Sequence, residues 1–180
     1  MDAKKNEFLL RRVKNAPRYA DMEVGMNRRK FDKRHANQFF ATTFRFGTFS
    51  YIAFRGTDIT LTGWKEDFFL VFEKKIKAQE QAAEYVQDVL KQVNGPFYFG
   101  GHSKGGNLAE YAALMLSPDQ QERLLGVYSF DGPGSMTDMR ALSSFPALES
   151  RFAKYLTHND MIGVVYNRIE NPKIVYATGL

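Results

Sequence analysis

The segment Gly101-His102-Ser103-Lys104-Gly105-Gly106 constrains this 180-residue chain more than any other. It lies between Phe97-Tyr98-Phe99, a short apolar run bounded by turn formers, and an alanine-rich stretch carrying Ala109, Ala112 and Ala113. The run reads as a strand buried on both faces, and the stretch, residues 107–116, as a helix. A chain that passes from strand to helix within two residues turns so sharply that the two elements nearly touch. Small residues two before and two after the serine are what such a turn requires, and Gly101 and Gly105 supply them. A serine held there presents its hydroxyl clear of the sheet, beside free N–H groups at a helix N-terminus. Those are the conditions for a nucleophile next to an oxyanion site. A phosphate-binding glycine turn is the competing reading, but lysine follows serine directly and the P-loop spacing is absent.

The flanking sequence places this turn in a mixed sheet. Residues 5–15 have helical spacing (Phe8, Leu9, Arg12, Val13) and stop at Pro17. Residues 37–46 alternate as a strand does, Gly47-Thr48 turns, and residues 49–54 form a second strand followed by a loop over 55–63. Helices are predicted over 64–72 and 76–93. The second has a stripe of Ala78, Ala82, Ala83, Tyr85, Val86, Val89 and Leu90, and Asn94-Gly95-Pro96 stops it. After the serine come a strand over 125–130, the turn Asp131-Gly132-Pro133-Gly134, a helical stretch over 138–152, and strands over 154–156 and 173–176. A hairpin followed by strands alternating with helices predicts one α/β domain over 1–180, its mixed sheet mostly parallel, with helices on both faces. Residues 1–35 are expected to be a basic helical segment. In such sheets the reactive groups gather at the carboxyl ends of the strands.

Composition excludes several functions. The absence of Cys rules out a disulfide scaffold, a thiolate zinc site, an iron–sulfur cluster and a cysteine nucleophile. An aromatic content of 14% excludes a disordered chain. No metal-ligand cluster or dinucleotide fingerprint is present, so no cofactor is expected. The longest apolar run, residues 68–72, is far short of the roughly 20 residues a spanning helix needs. The N-terminus lacks the apolar core of an export signal, and a cytoplasmic location is expected. The net charge of +5 is unevenly placed: residues 1–35 hold 11 Lys and Arg against 5 Asp and Glu, leaving the remainder near −1. Such a lobe is either a solvated face or an attractor of anionic lipid or nucleic acid. No nucleic-acid motif accompanies it, so nucleic-acid binding is not expected.

Several motifs together resemble one family. Phe54-Arg55-Gly56-Thr57, then Trp64 and Asp67, the glycine-flanked Ser103, and Asn159-Asp160 followed by Ile162 are similar to the class 3 (fungal-type) lipases. Gln38-Phe39-Phe40-Ala41 and Gly63-Trp64-Lys65-Glu66-Asp67 resemble patterns of that family's bacterial lipase-like branch within the α/β-hydrolases. The likeness spans roughly residues 35–180. It implies a serine hydrolase of carboxylic esters, with lipid or short-chain substrates, acting through an acyl-enzyme on Ser103. Peripheral membrane contact is compatible with it. The backbone N–H groups of Thr57 and Lys104 would form the oxyanion hole, and Asp160 would orient the histidine base. Asp131, which closes the strand after the serine's helix, is the rival acid, although Asp-Gly-Pro-Gly is strong turn chemistry by itself. Trp64 and Asp67 would support the Thr57 loop, and residues 68–72 would serve as core, as a lid or as an acyl-chain wall.

The histidine departs from the family pattern. No His follows Asp160, whereas the family order is Ser, Asp, His. His102 is expected to pack inside the turn, pointing away from the hydroxyl, and His35 to be solvated within the basic segment. His158 precedes the acid in the chain. The resemblance therefore implies a C-terminally incomplete domain whose histidine lies beyond Leu180. The competing reading is a non-catalytic relative that binds anionic lipid or nucleic acid through Arg28, Arg29 and Lys30. The Lys104 side chain is expected in a surface ion pair with Glu66, Asp67 or Glu110, or else as positive charge near the oxyanion.

Overall fold

The computed structural model describes residues 3–32, 37–56, 76–134, 141–159, 163–165 and 171–176. The helix expected over 64–72 lies outside them, as do His35, Thr57, Trp64, Glu66, Asp67 and Asp160. The elements in chain order are α1 (Ala3–Lys14), β1 (Glu23–Asp32), β2 (Asn37–Arg45), β3 (Ser50–Phe54), α2 (Lys77–Leu90) and β4 (Phe97–His102). They continue with α3 (Lys104–Leu114), α4 (Pro118–Arg123), β5 (Leu124–Phe130), α5 (Phe145–Leu148), β6 (Phe152–Thr157) and β7 (Lys173–Val175).

The seven described strands form one sheet in sequential order. β1, β2 and β3 are antiparallel neighbours; β3 through β7 are parallel. This is the mostly parallel mixed sheet that the spacing predicts, and with its helices it is an α/β-hydrolase fold. The alternation of β2 works as read: Asn37, Phe39, Ala41 and Thr43 are buried, and the residues between them are half-buried. Ile52, Phe54, Phe97 and Phe99 extend the buried face, on which Ala82, Tyr85 and Val86 of α2 and Leu108, Ala109 and Ala112 of α3 close the core.

Two sequence expectations fail here for physical reasons. Residues 1–35 are not helical throughout, because β1 occupies Glu23–Asp32 and pairs with β2. Its sequence hides this. As an edge strand it is mostly exposed, so backbone hydrogen bonds rather than apolar alternation hold it. A register shift between Gly25 and Arg28, with Met26 at φ 52°, breaks the period as well. Nor is β4 buried on both faces. Tyr98 is half-buried, in a row of rings in which it meets Phe49 at 5.5 Å and Tyr128 at 5.9 Å. On this second face, Val13 of α1 and Tyr19 approach Phe44 and Tyr51 around an apolar groove.

Two of the three cations expected to form a free basic surface are engaged. Arg28 donates to Asp88 Oδ2 at 2.8 Å, and Lys30 Nζ lies 3.7 Å from Glu84. They tie the edge strand to α2.

Candidate active site

β4 runs between β3 and β5, and Ser103 follows it with φ 55° and ψ −128° before α3 begins. The left-handed φ is a strained conformation for a residue with a side chain, and it persists only where the surroundings over-determine it. Ser103 N–H donates to Phe130 O at 2.8 Å, fastening the bend to the end of β5, and Ser103 O accepts from Gly106 N–H at 2.9 Å. Ser103 itself is half-buried rather than enclosed.

The glycines around it are sterically required. A Cβ on Gly101 would stand 2.4 Å from the Gly105 carbonyl carbon, and one on Gly105 would stand 2.2 Å from Phe54 O. Gly106 would meet Ser129 Oγ at 2.6 Å. Gly101→Ala and Gly105→Ala are each expected to cost about 1–3 kcal/mol or more, because backbone rather than a flexible side chain blocks the methyl. A lowered urea midpoint at unchanged slope checks this.

The loop after β3 reaches the same bend. A Cβ on Gly56 would come within 2.5 Å of His102 O and 3.5 Å of Ser103 Cβ, so the residue directly before Thr57 packs on the serine turn. Gly56→Ala is therefore expected to displace this loop while α2 and α3 stay packed. Backbone blocks the methyl here too, so a lowered urea midpoint at unchanged slope would report it.

The Lys104 side chain does not lie at the surface, and two of its expected partners, Glu66 and Asp67, lie outside the described residues. Lys104 is buried, and Nζ donates to Gln38 O at 2.7 Å. The lysine after the serine thus crosses to the β2 backbone and holds the start of α3 against the sheet. It forms no surface ion pair with Glu110, which is itself buried on α3 and faces Lys154.

Asp131 has φ 49°, and its Oδ1 accepts from Thr157 N–H at 2.6 Å. His102 does not pack inside the turn: its side chain is 70% exposed, with Nε2 3.5 Å from Asp131 Oδ2. Because side chains alternate along a strand, the last residue of β4 projects over the sheet end rather than into α3. His158 is exposed and stacks on Tyr176 at 5.3 Å.

A family description, Mbeg1-like, matches residues 13–180. This chain belongs to the Mbeg1-like family. No curated protein matches the sequence of this Mbeg1-like chain. Among solved structures it is similar to M37 lipase, with a TM-score of 0.61 at 18% identity, covering 91% of this chain and 64% of that one. It is similar to the native Rhizomucor miehei lipase–propeptide complex, with a TM-score of 0.55 at 15% identity, covering 91% and 64%. It is also similar to Yarrowia lipolytica Lip2 lipase, with a TM-score of 0.54 at 11% identity, covering 98% and 80%. At these identities the likeness establishes the fold. The Mbeg1-like chain thus spans under two thirds of the length of the first two lipases.

Sequence reasoning missed the polar framework behind the turn of the Mbeg1-like chain. Asn107, fully buried on α3, donates through Nδ2 to Pro133 O and Gly134 O, both at 3.1 Å, and accepts from Gln79 Nε2 at 2.9 Å. Gln79 Oε1 in turn accepts from Ile76 N–H and caps α2. One amide therefore joins α2, α3 and the Asp131 turn. A polar residue in the first turn of an alanine-rich helix was the available signal. Deeper still, Lys154 Nζ of β6 lies 3.5 Å from Glu110 Oε1, both side chains wholly buried. Among the described residues no cluster of His, Asp and Glu could hold a metal ion.

Proposed function

We propose that this chain carries the nucleophile and oxyanion site of a serine hydrolase of carboxylic esters. In this reading Ser103 Oγ attacks the ester carbonyl carbon as its proton passes to a histidine oriented by Asp160. The carbonyl oxygen takes the negative charge, cradled by the N–H groups of Thr57 and Lys104. Collapse of the tetrahedral adduct expels the alcohol, which takes the proton back, and leaves an acyl group on Ser103. Water then attacks that acyl group, releasing the acid and restoring the serine. Substrates would be lipid or short-chain esters, the class that the likeness to lipases suggests.

One observation carries the proposal. Gly56 packs against Ser103 and the His102 carbonyl, so the chain leading to Thr57 approaches the same bend that begins α3. Acyl transfer needs two amide donors from separate segments beside the nucleophile, aimed at the position the carbonyl oxygen will take, and an approach of this loop to the bend is compatible with that. The lysine supports it as well, because anchoring Nζ on Gln38 O pins the residue whose N–H would serve as the second donor.

A fluorophosphonate probe tests the proposal. The folded protein should gain one adduct by intact mass, on the peptide containing Ser103. Folded protein that carries the histidine base and still stays unlabelled would instead favour a non-catalytic hydrolase-fold protein.

A further inference from the structure

We propose that α1 is an interfacial helix that seats this protein on an anionic lipid bilayer. The reading is independent of the chemistry at Ser103. Phe8, Leu9 and Leu10 of α1 are 61%, 60% and 68% exposed, a concentration of bare apolar surface on a single helix. At about 100° per residue, Leu9, Val13 and Leu10 share one arc of roughly 100°, while Glu7, Arg11, Arg12 and Lys14 lie outside it. Glu7, the acidic residue within α1, is paired to Arg11 at 2.8 Å, and Arg12 lies over the Phe8 ring at 5.1 Å. An apolar stripe bordered by cations is the pattern of a helix lying in the headgroup plane.

Charge and apolarity together select the partner. The last turn of α1 carries Arg11, Arg12 and Lys14, complementary to acidic headgroups. A nucleic acid would use those cations but has no use for exposed leucines. Behind Val13 a groove of about 580 Å³ opens between α1 and the second face of the sheet, with Phe44, Phe49 and Tyr51 in its wall and Arg18 on its lining. It offers apolar room next to a cation where an acyl chain could follow its headgroup. The described residues contain no helix long and apolar enough to cross a membrane, so α1 would lie on the bilayer rather than span it. The cations of β1 play no part in this surface where Asp88 and Glu84 hold Arg28 and Lys30.

Sedimentation with vesicles tests the proposal. The protein should co-sediment with vesicles of phosphatidylcholine containing about a third phosphatidylserine, more weakly at high salt, and not with phosphatidylcholine alone. Arg11→Gln, Arg12→Gln and Lys14→Gln combined should weaken binding about a hundredfold, at roughly one tenfold step or less per cation. Leu9→Ser with Leu10→Ser should weaken it about tenfold or more. Both variants alter exposed positions, and unchanged circular dichroism would confirm that they fold. Ser103→Ala should bind as the parent does, which separates this surface from the proposed catalysis. Equal binding to neutral vesicles, or none to acidic ones, would overturn the proposal. So would binding to single-stranded DNA that depends on the cations but not the leucines, or a dimer in solution that the leucine changes dissolve.

Discussion

In a protein that also carries the histidine base, Ser103→Ala is expected to cut ester turnover by roughly four to six orders of magnitude while leaving the urea midpoint almost unchanged. Removing a nucleophile leaves only what the oxyanion donors and substrate binding contribute, and that residue of catalysis is small. The mutation deletes one oxygen from a half-buried side chain, and the Ser103 contacts that hold the bend are made by its backbone N–H and C=O. A p-nitrophenyl ester assay measures the effect. The two aspartates then discriminate the acid. Asp160→Asn should cost about 10⁴ in turnover if it orients the base. Asp131→Asn should cost far less, because an asparagine Oδ1 can still accept from Thr157 N–H, the bond that holds this turn to β6. The reverse ranking would move the role to Asp131 and make its neighbour His102 the base to test next.

The second large effect concerns stability. Breaking the pair between Glu110 and Lys154, as in Lys154→Met, is expected to destabilise the fold by about 3–5 kcal/mol, because it strands a buried charge. Replacing both residues, as in Glu110→Leu with Lys154→Met, should recover most of that loss, since two well-packed apolar side chains avoid the desolvation cost altogether. Urea unfolding of the two single variants and the double variant measures the coupling. A purely additive outcome would mean that the pair contributes nothing as a pair. The pH dependence is also determined. Burial pushes the Glu110 carboxyl above the usual range, and Lys154 opposes that shift. With Lys154 removed, the folded carboxyl holds its proton still more tightly than the unfolded one. The Lys154→Met variant should therefore be most stable below the unfolded glutamate pKa, and lose stability as pH rises through the elevated folded value.

The parts of the fold legible in the sequence are those whose cause is local. Gly101 announces the bend because a methyl there would collide with the Gly105 backbone four positions on, within the same segment. The alternation of Phe39, Ala41 and Thr43 betrays β2, and the stripe Ala78, Ala82, Tyr85, Val86 and Val89 betrays α2, because each has one buried face. α4 went unread even though Ser117 and Gln120 form a capping box at its start. Six residues bury no stripe, so the cap stood without the periodicity that would have given it meaning. β1 went unread for the complementary reason, being an edge strand with neither face enclosed.

From its order of residues alone, the chain determines a strand, a sharp glycine-flanked bend and a helix, because steric exclusion between neighbours leaves that segment little alternative. Which polar groups stand behind the bend was decided only in three dimensions. Lys104 reaches Gln38 O across 66 positions, Asn107 reaches the Pro133 and Gly134 carbonyls, and Glu110 faces Lys154. Such partners are chosen by whichever groups the folded sheet carries into the same dry space. Once water is excluded there, each buried donor or charge must be met by what remains within reach.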